Sequence, residues 1–235
     1  MNLEAFGLSR QGRVRSDNED RFLARHMNGG VLLAVADGIG GQYGGARAAE
    51  LAMLSLQEFE PGMDPAGALK RCLMKANASI YQQRVDEPRL RRMGTTLTAV
   101  YAQGAQAVFV HAGDSRLYHL RDGMPTRVTR DHSTLRTMIE TGDVTAALAG
   151  MRLERDSLEQ CLGCPELAPE TGLLTLGTGD VLLVCTDGLY RELPDETMAR
   201  TLVEGVPLRL AVLELVASAL AFGGRDNLSV AAVRI

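Results

Sequence analysis

Three short apolar runs crowd into residues 106–128, separated only by Gly113-Asp114 and Asp122-Gly123. Glycine and aspartate tolerate the positive φ angles that tight turns demand. Connections this short can join only antiparallel neighbours, because parallel strands need a crossover of a dozen residues or more. A largely antiparallel sheet is therefore predicted. Further runs at about 3–9, 20–26, 31–36, 95–102, 171–176, 181–186 and 228–234 also read as strands. Apolar residues Ala49, Ala52, Met53, Leu56 and Phe59 recur at helical spacing between 45 and 59, and residues 64–85 read as a second amphipathic helix. A helix near 195–204 has a polar face, whereas 207–221 is apolar nearly all round and is expected to lie buried between layers. Helices in two blocks around an antiparallel sheet predict a layered α+β sandwich rather than a doubly wound parallel sheet.

With 235 residues, 46% of them hydrophobic, the chain can build one large core, and it shows no repeat or Pro/Gly/Ser linker. A single domain over 1–235 is expected, with a flap-like insertion at about 133–170 broken up by Gly142, Gly150, Gly163, Pro165 and Pro169. A plain surface excursion fits that stretch equally well. The formal net charge of −4 gives no basic surplus for nucleic acid or an anionic membrane surface. The start of the chain, MNLEAFGLSRQGRVRSDNED, has no apolar stretch of signal-peptide length and no run anywhere approaches a bilayer span, so a soluble cytoplasmic protein is expected. Of the four cysteines, Cys72, Cys161, Cys164 and Cys185, the second and third make a CxxC with no matching ligand pair elsewhere. Reduced thiols are the default, and metal or redox use of the pair is set behind them.

The run VLLAVAD ends at Asp37, VFVHAGD at Asp114 and VLLVCTD at Asp187. Asp226 stands just before the strand LSVAAVRI, and Glu19 and Asp20 stand just before RFLARH. Any one of these is ordinarily a turn residue. Five acidic clusters at strand ends can instead converge on one sheet edge, where crowded carboxylates repel one another and divalent cations relieve the repulsion. Carboxylates without clustered His or Cys favour hard, oxygen-loving ions, hence Mg²⁺ or Mn²⁺ rather than Zn²⁺. The histidines His26, His111, His119 and His132 lack the HExxH spacing of zinc hydrolases. Two such ions would generate hydroxide at neutral pH and stabilise phosphoryl charge. Gly38, Gly40 and Gly41 would let the backbone close round an ion so that a carbonyl serves as a ligand. The P-loop pattern is absent. Arg15, four residues before Glu19, is a candidate receptor for two phosphate oxygens.

Taken in order, RSDNED at 15–20, DGIGG at 37–41, MGTTL at 93–97, GDSR at 113–116, DH at 131–132, TDGL at 186–189 and RDN at 225–227 resemble the metal-dependent serine/threonine protein phosphatases of type 2C. The resemblance covers almost the whole chain. It implies a four-layer α-β-β-α sandwich of two mainly antiparallel sheets flanked by helix pairs, with a dinuclear Mg²⁺ or Mn²⁺ centre at one edge. By the same resemblance Asp37 bridges the ions, Gly38 offers its carbonyl, and Asp187 and Asp226 hold the other ion. Glu19 and Asp20 complete the cluster through water, and Asp114 helps to hold a weaker third ion. Arg15 binds the phosphate, Thr95 and Thr96 pack the strand, and Asp131 and His132 support the site. The implied reaction is in-line attack on phosphoserine or phosphothreonine by a metal-activated water, without a phosphoenzyme, so electrostatics must supply most of the rate.

The sequence departs from that pattern at Ile39, where some eukaryotic members carry a histidine, and at Gln42, where many bacterial members do. The flap lacks the usual arginine-asparagine block, with RDSLEQCLG at 155–163 as its nearest counterpart. The implied context is a stand-alone bacterial enzyme that acts on phosphorylated proteins and reverses a partner Ser/Thr kinase, with secretion-system control as one setting. Two other readings are a phosphatase-fold module that binds phosphoproteins without catalysis, and a hydrolase of small phosphorylated metabolites. Retention of Asp20, Asp37, Asp187 and Asp226 disfavours the first. The absence of Trp and of a nucleotide motif disfavours the second.

Overall fold

Strand Gly30–Ala36 is buried at every position, because its two faces enter two different cores. Val31, Leu33 and Val35 meet Leu182, Val184, Ala231 and Val233 of the opposing sheet. The alternate residues Leu32, Ala34 and Ala36 meet helical Ala49, Ala52, Leu56, Leu69 and Leu73. A strand alternates faces with period two, so a strand sandwiched between sheet and helices must be apolar throughout.

The computed structural model describes residues 3–27, 29–41, 44–133 and 160–235. Its strands are β1 (Glu4–Arg10), β2 (Arg21–Met27), β3 (Gly30–Ala36), β4 (Gly38–Ile39), β5 (Gly94–Thr95), β6 (Leu97–Gln103), β7 (Gln106–Ala112), β8 (Arg116–Arg121), β9 (Met124–Arg127), β10 (Glu170–Thr175), β11 (Val181–Cys185) and β12 (Leu228–Arg234). The helices are α1 (Gly45–Gln57), α2 (Pro65–Asp86), α3 (Asp187–Tyr190), α4 (Asp195–Thr201) and α5 (Leu208–Phe222). Two five-stranded sheets run β1-β12-β11-β8-β9 and β10-β7-β6-β3-β2, with every pairing antiparallel. Helices α1 and α2 cover one sheet and α4 and α5 the other, which makes the predicted four-layer sandwich. The β8–β9 turn takes positive φ at Asp122 and Gly123, as a two-residue hairpin requires.

Helix α5 differs from its sequence expectation. Leu208, Ala211, Val212, Leu215 and Ala219 pack on the sheet, but Leu210 and Phe222 are exposed. The helix forms an outer layer, so only one face of its apolar surface reaches the core. The small pair β4-β5, with Gly38 opposite Thr95, was also not expected. Gln42 and residues 134–159, most of the expected flap, lie outside the described residues. No described helix is long and apolar enough to cross a membrane.

Candidate metal centre

In an antiparallel sandwich the end of one strand and the start of its neighbour share an edge. Asp37 follows β3, Asp114 lies in the β7–β8 turn, Asp187 follows β11, Asp226 precedes β12, and Glu19 and Asp20 precede β2. All of them reach one edge. A cavity of about 270 Å³ is lined there by Arg15, Glu19, Asp37, Gly38, Asp114, Asp187 and Asp226. Asp20 is 1% exposed and lies outside that lining.

The Asp37 backbone is clamped. Its amide donates to Thr96 Oγ1 (2.9 Å), and its carbonyl accepts from Thr95 Oγ1 (2.8 Å) and from the Thr96 amide (2.9 Å). Thr96 Oγ1 also meets Ser115 Oγ at 2.7 Å. The two threonines thus do more than pack: they fix the position from which the Asp37 carboxylate projects. A Cβ on Gly38 would overlap the Gly45 carbonyl and come within 2.7 Å of the Glu19 carbonyl oxygen. Glycine here admits the start of α1, whose Gly45 lies directly against the Glu19 carboxylate. Gly40 and Gly41 have φ of +125° and +60°, values that glycine adopts without strain.

Asp20 accepts a hydrogen bond from Thr186 Oγ1 (2.8 Å), and Thr186 Oγ1 in turn accepts from the Ser229 amide (2.9 Å). The second Asp20 oxygen, Oδ1, is buried with no hydrogen-bond partner. Burial pushes Asp20 up to about 7 against the bond from Thr186, with the charges of Asp187 and Asp226 adding to the rise. Asp37 is raised well above the carboxylate range by burial and then by Asp20, Asp187, Asp114 and Asp226. Asp114 is pushed up to about 7 by burial and by Asp187, with Arg191 opposing. A buried carboxylate oxygen without a donor, beside acids that hinder one another's ionisation, is the environment that a hard divalent cation relieves. The donor set, all oxygen, suits Mg²⁺ or Mn²⁺.

Two half-exposed arginines flank the acids. Arg15 Nη2 donates to Asp226 Oδ2 (2.6 Å), and Asp226 Oδ1 accepts the Asn227 amide (2.8 Å). Arg191 pairs through Nε with Asp187 (3.1 Å) and through Nη2 with Asp114 (3.9 Å). Tyr190 donates to the Asp114 carbonyl (3.1 Å), with the Arg116 guanidinium over its ring. Asp131 grips Arg116 through both oxygens (3.0 and 2.7 Å), while the His132 amide donates to the Gly113 carbonyl (2.7 Å). Asp131 and His132 thereby brace the turn that carries Asp114.

His111, His132 and Glu170 also come together. His111 already faces Thr98 Oγ1 (2.8 Å) and the Arg130 carbonyl (2.9 Å), and Glu170 accepts the Arg130 amide (3.0 Å). Burial and His132 lower His111 to about 3, so the ring is neutral. This cluster is a hydrogen-bonded support.

The family model described as Protein phosphatase 2C matches residues 10–217. The chain belongs to the protein phosphatase 2C family. Serine/threonine protein phosphatase PstP of Mycobacterium tuberculosis is 37% identical over 226 residues, which cover 94% of this chain and 43% of that protein. The chain thus spans less than half the length of this relative. The catalytic domain of PstP, solved in complex with two manganese ions, superposes with a TM-score of 0.86 at 34% identity, covering 99% of this chain and 97% of that one. PppA of Pseudomonas aeruginosa, described as a key regulatory component of T6SS, superposes with a TM-score of 0.87 at 29% identity, covering 100% and 98%.

In this phosphatase 2C chain the structure brings all eight sequence-predicted site residues to one edge. Thr186 and Arg191 were not singled out by sequence reasoning. Thr186 sits inside the TDGL block, and that position was its only signal. Arg191 stands one helical turn after Asp187, a spacing at which an arginine reaches back to an acid.

Proposed function

We propose that the chain is a metal-dependent protein phosphatase that hydrolyses phosphoserine and phosphothreonine on proteins. The observation that carries this reading is the shared cavity of Arg15, Asp37, Asp187 and Asp226 beside buried Asp20 and its donorless oxygen. Asp37, the Gly38 carbonyl, Asp187 and Asp226 would hold two Mn²⁺ or Mg²⁺ ions, with Glu19 and Asp20 behind them and Asp114 toward a third. The manganese in the related PstP structure supports that choice of ion. Bound ions would activate a water and offset charge on the phosphoryl oxygens.

The chain's own residues then have defined tasks. Thr95 and Thr96 hold the Asp37 peptide fixed, so its carboxylate is aimed without reorganisation. Arg15 is held at the rim by Asp226 and offers a planar fork to two phosphoryl oxygens. Among the described residues, no aromatic side chain lines the acidic cavity to grip a base or sugar, which favours a phosphorylated protein loop over a small metabolite.

The substrate phosphoproteins, a partner Ser/Thr kinase and a role in secretion-system regulation belong to the same proposal, the last supported by the likeness to PppA. The described cysteines are all free thiols, which suits a cytoplasmic location. The test is phosphate release from a phosphothreonine peptide with and without Mn²⁺, with Asp226→Asn, Asp187→Asn and a phosphotyrosine peptide as controls. Metal-dependent release from phosphothreonine alone, lost in both variants while their melting is retained, is expected. Full activity in either variant, or no release with any metal, would overturn the reading; the latter would favour a phosphoprotein-binding module.

A further inference from the structure

The CxxC motif lies directly behind the strand pair that positions Asp37. Leu162, between the two cysteines, is fully buried and exchanges two backbone hydrogen bonds with Thr95: its amide donates at 2.8 Å and its carbonyl accepts at 3.3 Å. Thr95 Oγ1 bonds the Asp37 carbonyl, so one residue separates the cysteine turn from the backbone of the central acid. A Cβ built on Gly94 would stand 3.6 Å from Cys161 Sγ.

The turn is held in place from α2. Asn77, itself buried, accepts the Gly163 amide through Oδ1 (2.6 Å) and donates through Nδ2 to the Cys164 carbonyl (3.0 Å). Arg84 donates to the Gly163 carbonyl, and Gly163 takes φ of +101° with no room for a side chain. In this frame Cys161 Sγ and Cys164 Sγ lie 3.4 Å apart, both half-buried. A small approach of the two sulfurs closes a bond of ~2 Å.

We infer that Cys161 and Cys164 form an oxidisable dithiol site that reacts with low-molecular-weight disulfides, and that closing it fixes the Leu162–Thr95 bridge behind Asp37. Burial and the neighbouring Cys164 raise the Cys161 thiol, while Cys164 leads into exposed Pro165 and Glu166, so a disulfide from solvent meets Cys164 first. The Cys164 thiolate attacks one sulfur of the oxidant RSSR; the S–S bond breaks, RS⁻ leaves and takes up the thiol proton. Cys161 then gives its proton to solvent and attacks Cys164 Sγ, expelling the second RS⁻. The chain loses two electrons and two protons, and RSSR becomes two RSH. The site does not depend on bound metal.

The test equilibrates the intact chain with graded ratios of reduced to oxidised glutathione, quenches with an alkylating reagent and maps the cysteines by peptide mass. The expected product is a peptide carrying Cys161 and Cys164, two hydrogens lighter and unalkylated, formed before Cys72 or Cys185 reacts. Cys161→Ser should instead accumulate glutathione on Cys164, and Cys164→Ser should leave Cys161 unreacted. Amide exchange at Leu162 and Thr95 should slow several-fold on oxidation and recover on reduction. Two thiols still alkylated at every ratio, a mixed disulfide that persists on Cys164 in the unsubstituted chain, or exchange rates that do not move would each overturn the inference.

Discussion

Thr186 Oγ1 donates a 2.8 Å hydrogen bond to Asp20 Oδ2 across 166 residues of sequence. It joins the end of β11 to the entry of β2, and through the Ser229 amide it also ties in β12. Thr186→Val keeps the shape but leaves a buried carboxylate and a buried amide each without this partner, at a cost of about 1–3 kcal/mol. Calorimetric melting should show Tm falling by several degrees, at ~2–4 °C per kcal/mol for a chain of this size. Mn²⁺ titration should show weaker binding, because Asp20 then ionises less readily. An unchanged Tm would mean that the bond is replaceable by packing.

Stability without metal should fall as pH rises. Asp20 and Asp114, both pushed up to about 7 first by burial, stay protonated in the fold, whereas in the unfolded chain they ionise near ~3.9. Between about pH 4 and pH 7 the fold therefore binds more protons than the unfolded chain, and the stability present below pH 4 is lost across that window. Melting in a chelator should show a declining Tm that levels off above pH 7. Added Mn²⁺ should flatten the decline, since it binds the ionised forms. A chelated profile flat from pH 4 to pH 8 would mean that these carboxyls ionise normally.

Arg191 places its charge between Asp187 and Asp114, where it competes with any ion those acids would hold. One unit charge at ~4 Å through water is worth about 1 kcal/mol. Arg191→Ala should accordingly bind Mn²⁺ about fivefold more tightly by calorimetric titration, and Arg191→Lys should stay near the unsubstituted value. Weaker binding in the alanine variant would instead identify Arg191 as a brace that orients the two carboxylates.

The strands were legible where burial on both faces left a continuous apolar run, as in residues 31–36, and the convergence of Asp37, Asp114, Asp187 and Asp226 followed from their places at strand ends. The two-residue pair β4-β5 is too short to carry periodicity. Helix α3 is a single turn and hides inside the TDGL block. Hydrophobicity reported that α5 is apolar all round but could not say that one face looks outward. Thr95 and Thr96 read as packing residues because β-branched side chains ordinarily pack in strands; their hydroxyl bonds to Asp37 depend on where the chain returns in space. Asp180 shows why position alone is insufficient. At the opposite end of β11 from Asp187, its burial is outweighed by Arg121, the Gly177 amide and His119, which pull it to about 2. The same residue type at the two ends of one strand is thus a satisfied ion pair at one and an acid crowded by acids at the other.

The glycines after Asp37 should separate by mechanism. Alanine at Gly38 meets the Gly45 carbonyl and the Glu19 carbonyl oxygen, both backbone, so α1 must move away from β4. A loss of about 3 kcal/mol is expected, at the upper end of ordinary single substitutions, together with loss of Mn²⁺ binding as Glu19 and Asp37 part. Among the described residues, alanine at Gly41 meets nothing within 4 Å but must adopt φ of +60°, a strain of roughly 1–2 kcal/mol. Melting and Mn²⁺ titration of Gly38→Ala and Gly41→Ala side by side should therefore show a large Tm drop with lost binding for the first and a small Tm drop with retained binding for the second. The reverse order would mean that the Gly40-Gly41 turn, rather than the close approach of α1 to Gly38, sets the geometry of the site.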